Sequence, residues 1–236
     1  MNMRTAMGLV ASLSIAGAAL ADTPRLGGSM LHLLVSQNGQ SLEFAYETQV
    51  SDPVELFLYE EDVYTGPAGV LNGVYYSGRF GWLADGFFDL PAGSGVFIEN
   101  LGTTEGLSAY DAFSYAPILG TQTSPEIWQW GGMMTHNWYA ATEPGVYSAT
   151  YRVYVGSAAT QEPLAGWTPV ELTLEWEVPF DCIADVNGDG MLSPADFSAW
   201  VAAYNTGAPG CDQNGDGNCS PADFSAWVGN FNAGCE

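Results

Sequence analysis

A chain of 236 residues is long enough for one ordinary domain and a smaller one. It sets 27 Asp and Glu against four Arg and no Lys, a formal charge of −23 at pH 7, which excludes nucleic acid and anionic lipid as partners because both are held by basic side chains. An aromatic content of 13% and an ordinary apolar fraction exclude disorder, so the chain folds.

Arg4, the apolar run Ala6 to Leu20 and the small residues Ala19-Leu20-Ala21 read as a secretory signal peptide over 1–21, cleaved near Ala21. The run is shorter than the roughly 20 residues a bilayer span needs. No later segment is long enough either, so no membrane span is expected. The reading places the protein outside the cell, secreted or at the cell surface. Removing Arg4 takes the formal charge from −23 to −24 and leaves Arg25, Arg79 and Arg152 as the basic residues.

Residues 22–178 read as short alternating runs broken by Gly, Pro, Asn and Asp, the pattern of an all-β sandwich of immunoglobulin-like or jelly-roll type. Met30 to Val35 and Ser41 to Val50 flank Asn38-Gly39, which suits a tight hairpin turn, so the two are expected to pair antiparallel. Val74 to Ser77, Gly95 to Glu99 and Glu126 to Trp130 are the strand candidates of a middle region rich in Gly and aromatics. Val146 to Val155 puts Tyr147, Ala149, Tyr151, Val153 and Val155 on one face. Val170 to Val178 puts Val170, Leu172, Leu174, Trp176 and Val178 on one face and three glutamates and a threonine on the other. Pro179-Phe180-Asp181 closes the β region and opens a second domain over 179–236.

All four cysteines, Cys182, Cys211, Cys219 and Cys235, lie in that last piece, and an even count in an exported chain favours two disulfides. Three pairings are open. Cys182–Cys235 with Cys211–Cys219 is preferred because it follows an internal repeat.

Residues Asp185 to Asn205 and Asp212 to Asn232 superimpose at an offset of 27 with 15 identities in 21 positions. Each copy begins Asp-x-Asn-Gly-Asp-Gly and carries Asp at the twelfth position, the spacing of a calcium loop. Calcium takes six to eight oxygens, drawn from loop positions 1, 3, 5, 7, 9 and 12. Those are Asp185, Asn187, Asp189, the carbonyl of Met191, Ser193 and Asp196 in the first copy. In the second they are Asp212, Asn214, Asp216, the carbonyl of Asn218, Ser220 and Asp223. Gly190 and Gly217 stand at position 6, where the chain turns sharply around the ion. Two Ca2+ ions are therefore expected. After each loop the spacing predicts a helix, Pro194 to Tyr204 and Pro221 to Phe231, capped by Ser193 or Ser220 with proline in the first turn. The stripes Phe197, Trp200, Val201, Tyr204 and Phe224, Trp227, Val228, Phe231 are expected to meet, since neither helix has a core alone.

This doubled ligand set, with Asp at position 12, resembles the type I dockerin over about 181–236. The resemblance implies a secreted adaptor that docks on a cohesin-like or other surface protein module through residues 179–236, a role the family often joins to polysaccharide-degrading enzymes. Positions 10 and 11, where partner contacts cluster in that family, are here Pro194-Ala195 and Pro221-Ala222 rather than its usual hydroxyl and small residues.

In the larger domain, His32 and His136 with a carboxylate such as Glu43 or Asp111 form a conceivable zinc set. Thr135-His136-Asn137-Trp138-Tyr139 followed by Pro144-Gly145-Val146-Tyr147 is loosely similar to a stretch of surface-anchored bacterial β domains, with Met133 and Met134 where those domains carry further histidines. Glycoside hydrolysis needs two carboxyls about 5–10 Å apart. Glu55, Glu60, Glu61, Asp62, Asp85, Asp89 and Glu99 are all candidates, and no spacing selects a pair. Trp82, Phe87, Phe88, Trp128, Trp130, Trp138 and Tyr139 are available to stack on sugars or to fill the core. The expectation is a calcium-binding attachment protein carrying a non-catalytic β domain. The alternatives are a carbohydrate-active enzyme or carbohydrate-binding module borne on a dockerin, and a metal-handling surface protein.

Overall fold

A computed structural model describes residues 23–48, 53–179, 182–189 and 191–234. The signal-peptide reading, the 180–181 junction, Val50, Gly190 and Cys235 lie outside the described residues. Twelve strands are described, the first six being β1 (Leu31–Asn38), β2 (Ser41–Tyr46), β3 (Val54–Glu55), β4 (Tyr75–Ser77), β5 (Phe80–Ala84) and β6 (Ser94–Thr103). The others are β7 (Ser108–Tyr110), β8 (Pro117–Ile118), β9 (Ile127–Trp130), β10 (Trp138–Ala141), β11 (Gly145–Ser157) and β12 (Val170–Val178). Two helices follow, α1 (Pro194–Thr206) and α2 (Pro221–Ala233). The protein is thus largely β-sheet with small helices at its C-terminal end.

The strands form three sheets, in the orders β2-β1-β5, β4-β10-β7-β8 and β3-β12-β11-β6-β9. Asn38-Gly39 turns the β1–β2 hairpin, with Asn38 opposite Ser41 and Gly39 at φ +63°, a conformation open to glycine at little cost. β5 joins the other side of β1 in parallel, with His32 opposite Gly81 and Leu33 opposite Trp82. β11 and β12 pair antiparallel, Tyr151 facing Leu172 and Tyr147 facing Trp176, and their inward rows are buried as the alternation requires. A bulge between Thr150 and Tyr151 shifts the register of β11 against β6.

One core draws on all three sheets, including Leu33 and Trp82, Tyr139 and Ala141, and Tyr151, Leu174 and Trp176. The alternate residues of β10, Trp138 and Ala140, enter a second cluster with Tyr64, Leu71, Tyr76 and Tyr110. β10 is therefore covered on both faces, which is why its sequence shows no alternation.

The helical end has its own cluster, in which Ala184, Trp200 and Trp227 are buried and Cys182, Val186, Leu192 and Phe231 pack around them. Each helix begins at the expected proline and runs two residues further than expected, and α1 stops at Gly207 with φ +68°. Cys211 and Cys219 are disulfide-bonded, with Cα atoms 5.5 Å apart, as the repeat suggested. Cys182 is also disulfide-bonded. Among the described residues, no helix is long and apolar enough to cross a membrane.

Candidate functional site

The two acidic loops fold by the same internal rule. In the first, Asp185 Oδ1 accepts the N–H groups of Gly188 at 2.8 Å and Asp189 at 3.2 Å, and Asn187 Oδ1 accepts that of Asp189 at 2.9 Å. Asp189 Oδ1 then accepts from Met191 at 2.9 Å. The second repeats each bond 27 residues on: Asp212 Oδ1 accepts from Gly215 and Asp216, Asn214 Oδ1 from Asp216, and Asp216 Oδ1 from Asn218. Asp212 Oδ2 also accepts from Gly217 at 2.8 Å, and Gly217 has φ +82°. The side chains at positions 1, 3 and 5 of each loop are thereby turned back onto the loop's own backbone.

Position 12 closes each loop. Asp196 and Asp223 are fully buried, and each accepts the N–H of its helix cap, Ser193 at 2.8 Å and Ser220 at 2.7 Å. Each also accepts N–H groups from the front of its loop: Asp196 from Asn187, and Asp223 from Gln213 and Asn214. Ser193 and Ser220 complete the exchange by accepting from Ala195 and Ala222. This reciprocal cap ties the loop to the helix start. Burial pushes the Asp196 carboxyl up, but the N–H groups of Ser193 and Asn187 and a hydrogen bond shared with Asp185 outweigh it and hold it low. The N–H of Ser220 is the main force holding Asp223 low, against the effect of burial.

Gln213 escaped sequence reasoning. It donates to the carbonyls of Ile183 at 2.7 Å and Gly210 at 3.1 Å and accepts from Asn230, so it ties the second copy to the segment just ahead of the first. The first copy has Val186 at the equivalent position, and that mismatch was the available signal. Among the described residues, no group of three or more His, Cys, Asp or Glu side chains is gathered as a metal site. The donors of the two loops mix carboxylates with amide, hydroxyl and carbonyl oxygens, a hard all-oxygen set suited to calcium rather than zinc.

In the β region, His32 and His136 stand together, ring centroids 5.8 Å apart and steeply inclined. The carboxylate beside them is Glu47, which accepts from His32 Nδ1. Neither Glu43 nor Asp111 plays that part. The hairpin register sets Glu43 opposite Ser36, four residues along β1, where it accepts from Asn38 at 2.8 Å, and Asp111 accepts from Phe113 and Ser114. His136 Nδ1 donates to the Gly78 carbonyl at 2.8 Å. Burial lowers the His136 pKa, the Gly78 carbonyl opposes this, and His32 lowers it further.

A cleft of about 500 Å³ opens between residues 100–109 and 119–126, with Glu105, Glu126 and Tyr151 in its wall. None of the seven carboxylates singled out from the sequence lines it. Asp62 pairs with Arg25 at 2.8 Å, and Glu99 pairs with Arg152 across β6 and β11. Of the seven aromatics, Trp82, Trp130, Trp138 and Tyr139 are buried, so they do not form an exposed row. Phe87 is fully exposed.

Compared with protein-family models, curated proteins and solved structures, the chain matches none.

Proposed function

We propose that this is a secreted, calcium-binding attachment protein: residues 179–236 hold two Ca2+ ions in dockerin-like loop-helix repeats and dock on a partner protein module, while residues 22–178 are a non-catalytic sandwich-type β domain. The observation that supports the reading is the set of matching hydrogen bonds in the two acidic loops, with buried position-12 carboxylates Asp196 and Asp223 and no basic side chain in either loop. The chain has no lysine with which to neutralise them, so a divalent cation is the natural counter-charge.

Phe197, Val201, Tyr204, Phe224 and Val228 remain 36–43% exposed, although Phe197 and Phe224 touch at a centroid distance of 5.8 Å. An apolar patch spread over both helices supports docking on a folded protein surface. Calcium acts here by rigidifying the frame that presents the patch.

Calorimetric titration of the chelator-treated mature protein tests the first half: two equivalents of calcium are expected, falling to one in Asp212→Ala. Absence of uptake would sink the reading. For the second half, Val228→Asp should leave calcium uptake intact and abolish capture of a cohesin-type module; unchanged capture would remove the patch from the interface.

A further inference from the structure

We propose that His32 and His136 form a second, separate metal site, for a transition-metal ion of the zinc or copper class, with Glu47 as the residue that orients His32. Each imidazole is tied at Nδ1, His32 to the Glu47 carboxylate and His136 to the Gly78 carbonyl. A ring that donates through Nδ1 carries its lone pair on Nε2, which is the arrangement a metal-bound histidine requires. Both Nε2 atoms are buried and have no hydrogen-bond partner. A buried polar atom left unpaired is unfavourable by about 1–3 kcal/mol, so two such atoms on neighbouring rings call for a common ligand.

The spacing suits that ligand. Two imidazoles on one tetrahedral ion, with metal–nitrogen distances of about 2.0–2.1 Å, place their ring centroids about 5–6 Å apart. Here the separation is 5.8 Å. The backbone is shaped for the pair as well: Gly81 lies beside His32 in the parallel β1–β5 ladder, and a Cβ there would come within 2.4 Å of the His136 ring. The absent side chain is the space His136 occupies. Trp82 and Thr135 exchange two backbone hydrogen bonds, 2.9 and 3.0 Å, and this bridge fixes the segment carrying His136 against β5.

Two nitrogens do not fill a coordination sphere, and no third His, Cys, Asp or Glu joins them among the described residues. The remaining positions fall to water or to thioethers. Met30 and Met134 each precede their histidine by two residues, and both are exposed. Imidazole nitrogens serve zinc and copper alike, and thioethers add preference for copper. The site differs in kind from the acidic loops, whose donors are all oxygen.

The test uses untagged mature protein in excess calcium, so that the acidic loops do not take up the probe ion. Zinc and copper(II) are titrated in competition with a chromophoric chelator, and nitrogen-15 spectra of the imidazoles are recorded with zinc. With two histidines in the chain, the spectrum contains two rings. One equivalent should bind, both Nε2 resonances should move to the metal-bound range, and both rings should keep Nδ1–H. His32→Gln and His136→Gln should each weaken binding at least 100-fold, and Glu47→Gln should weaken it about 10- to 100-fold. Unmoved ring resonances with both ions in excess would overturn the proposal, and so would undiminished binding in the double histidine variant. The wild-type spectrum decides the question even if a variant fails to fold.

Discussion

Trp200 donates its indole N–H to the carbonyl of Cys211 at 3.2 Å, and its equivalent 27 residues on, Trp227, donates to Ala184 at 3.1 Å. Cys211 and Ala184 are themselves 27 apart and immediately precede Asp212 and Asp185. Each helix therefore fixes the entrance of the other copy's acidic loop. Trp200→Phe and Trp227→Phe should each destabilise the helical end by about 1–3 kcal/mol, because a buried carbonyl loses its donor. Denaturant unfolding followed by far-ultraviolet circular dichroism checks this, and the two losses should be similar.

Acid should dismantle the same region. Asp196 and Asp223 have pKa values depressed in the folded state, so the unfolded chain binds protons more readily. Their contribution is fully present above the unfolded carboxylate pKa of about 3.9 and is lost as pH falls through the lower folded values. Helical signal in chelator should accordingly decline below about pH 4, and Ser193→Ala or Ser220→Ala should bring the decline to higher pH while costing about 0.5–2 kcal/mol at neutrality.

Gly81→Ala probes the close approach of His136 to β5. The added Cβ would overlap Nε2 and Cε1 at 2.4 Å, so the ring must move or the strand must shift. A loss of about 1–3 kcal/mol is expected from such overpacking. The measurement is thermal unfolding, paired with the ring spectra, in which His136 should change environment.

Arg152 and Glu99 face each other across β11 and β6, with Arg152 Nε donating to Glu99 at 2.8 Å and Nη2 reaching the same oxygen. Arg152→Ala removes one of the four arginines in the chain and should cost about 0.2–1 kcal/mol, the range of a cross-strand charge pair. Raising the salt concentration should narrow the difference between variant and wild type.

The strands legible in the sequence were those with one wet face. β11 and β12 alternate along their length, and β1 and β2 flank an Asn-Gly turn, so period and punctuation coincide. β10 is buried on both faces, and β7 and β8 span three and two residues, too short for any period to show. β5 was missed because its partner is β1, in parallel and far along the chain, a pairing no local pattern announces. The helices after the acidic loops were legible because the repeat, its Ser-Pro cap and the following apolar spacing coincide. Glu47 was not, since its role depends on the hairpin register that sets it beside His32, with its N–H on the His32 carbonyl at 3.1 Å.

The disulfide between Cys211 and Cys219 has no counterpart in the first copy, where the equivalent positions are Ala184 and Leu192, both in the apolar cluster. The second loop is thus bridged from entrance to position 8 by a covalent bond, and its twin at the same two positions by apolar packing. Near-identical sequence conceals unequal permanence: the front loop can open and re-form with temperature, while the rear one keeps its ends joined until chemistry intervenes. Under chelation, proteolysis should therefore begin between residues 185 and 196, and the two halves of the duplication should wear out at different rates.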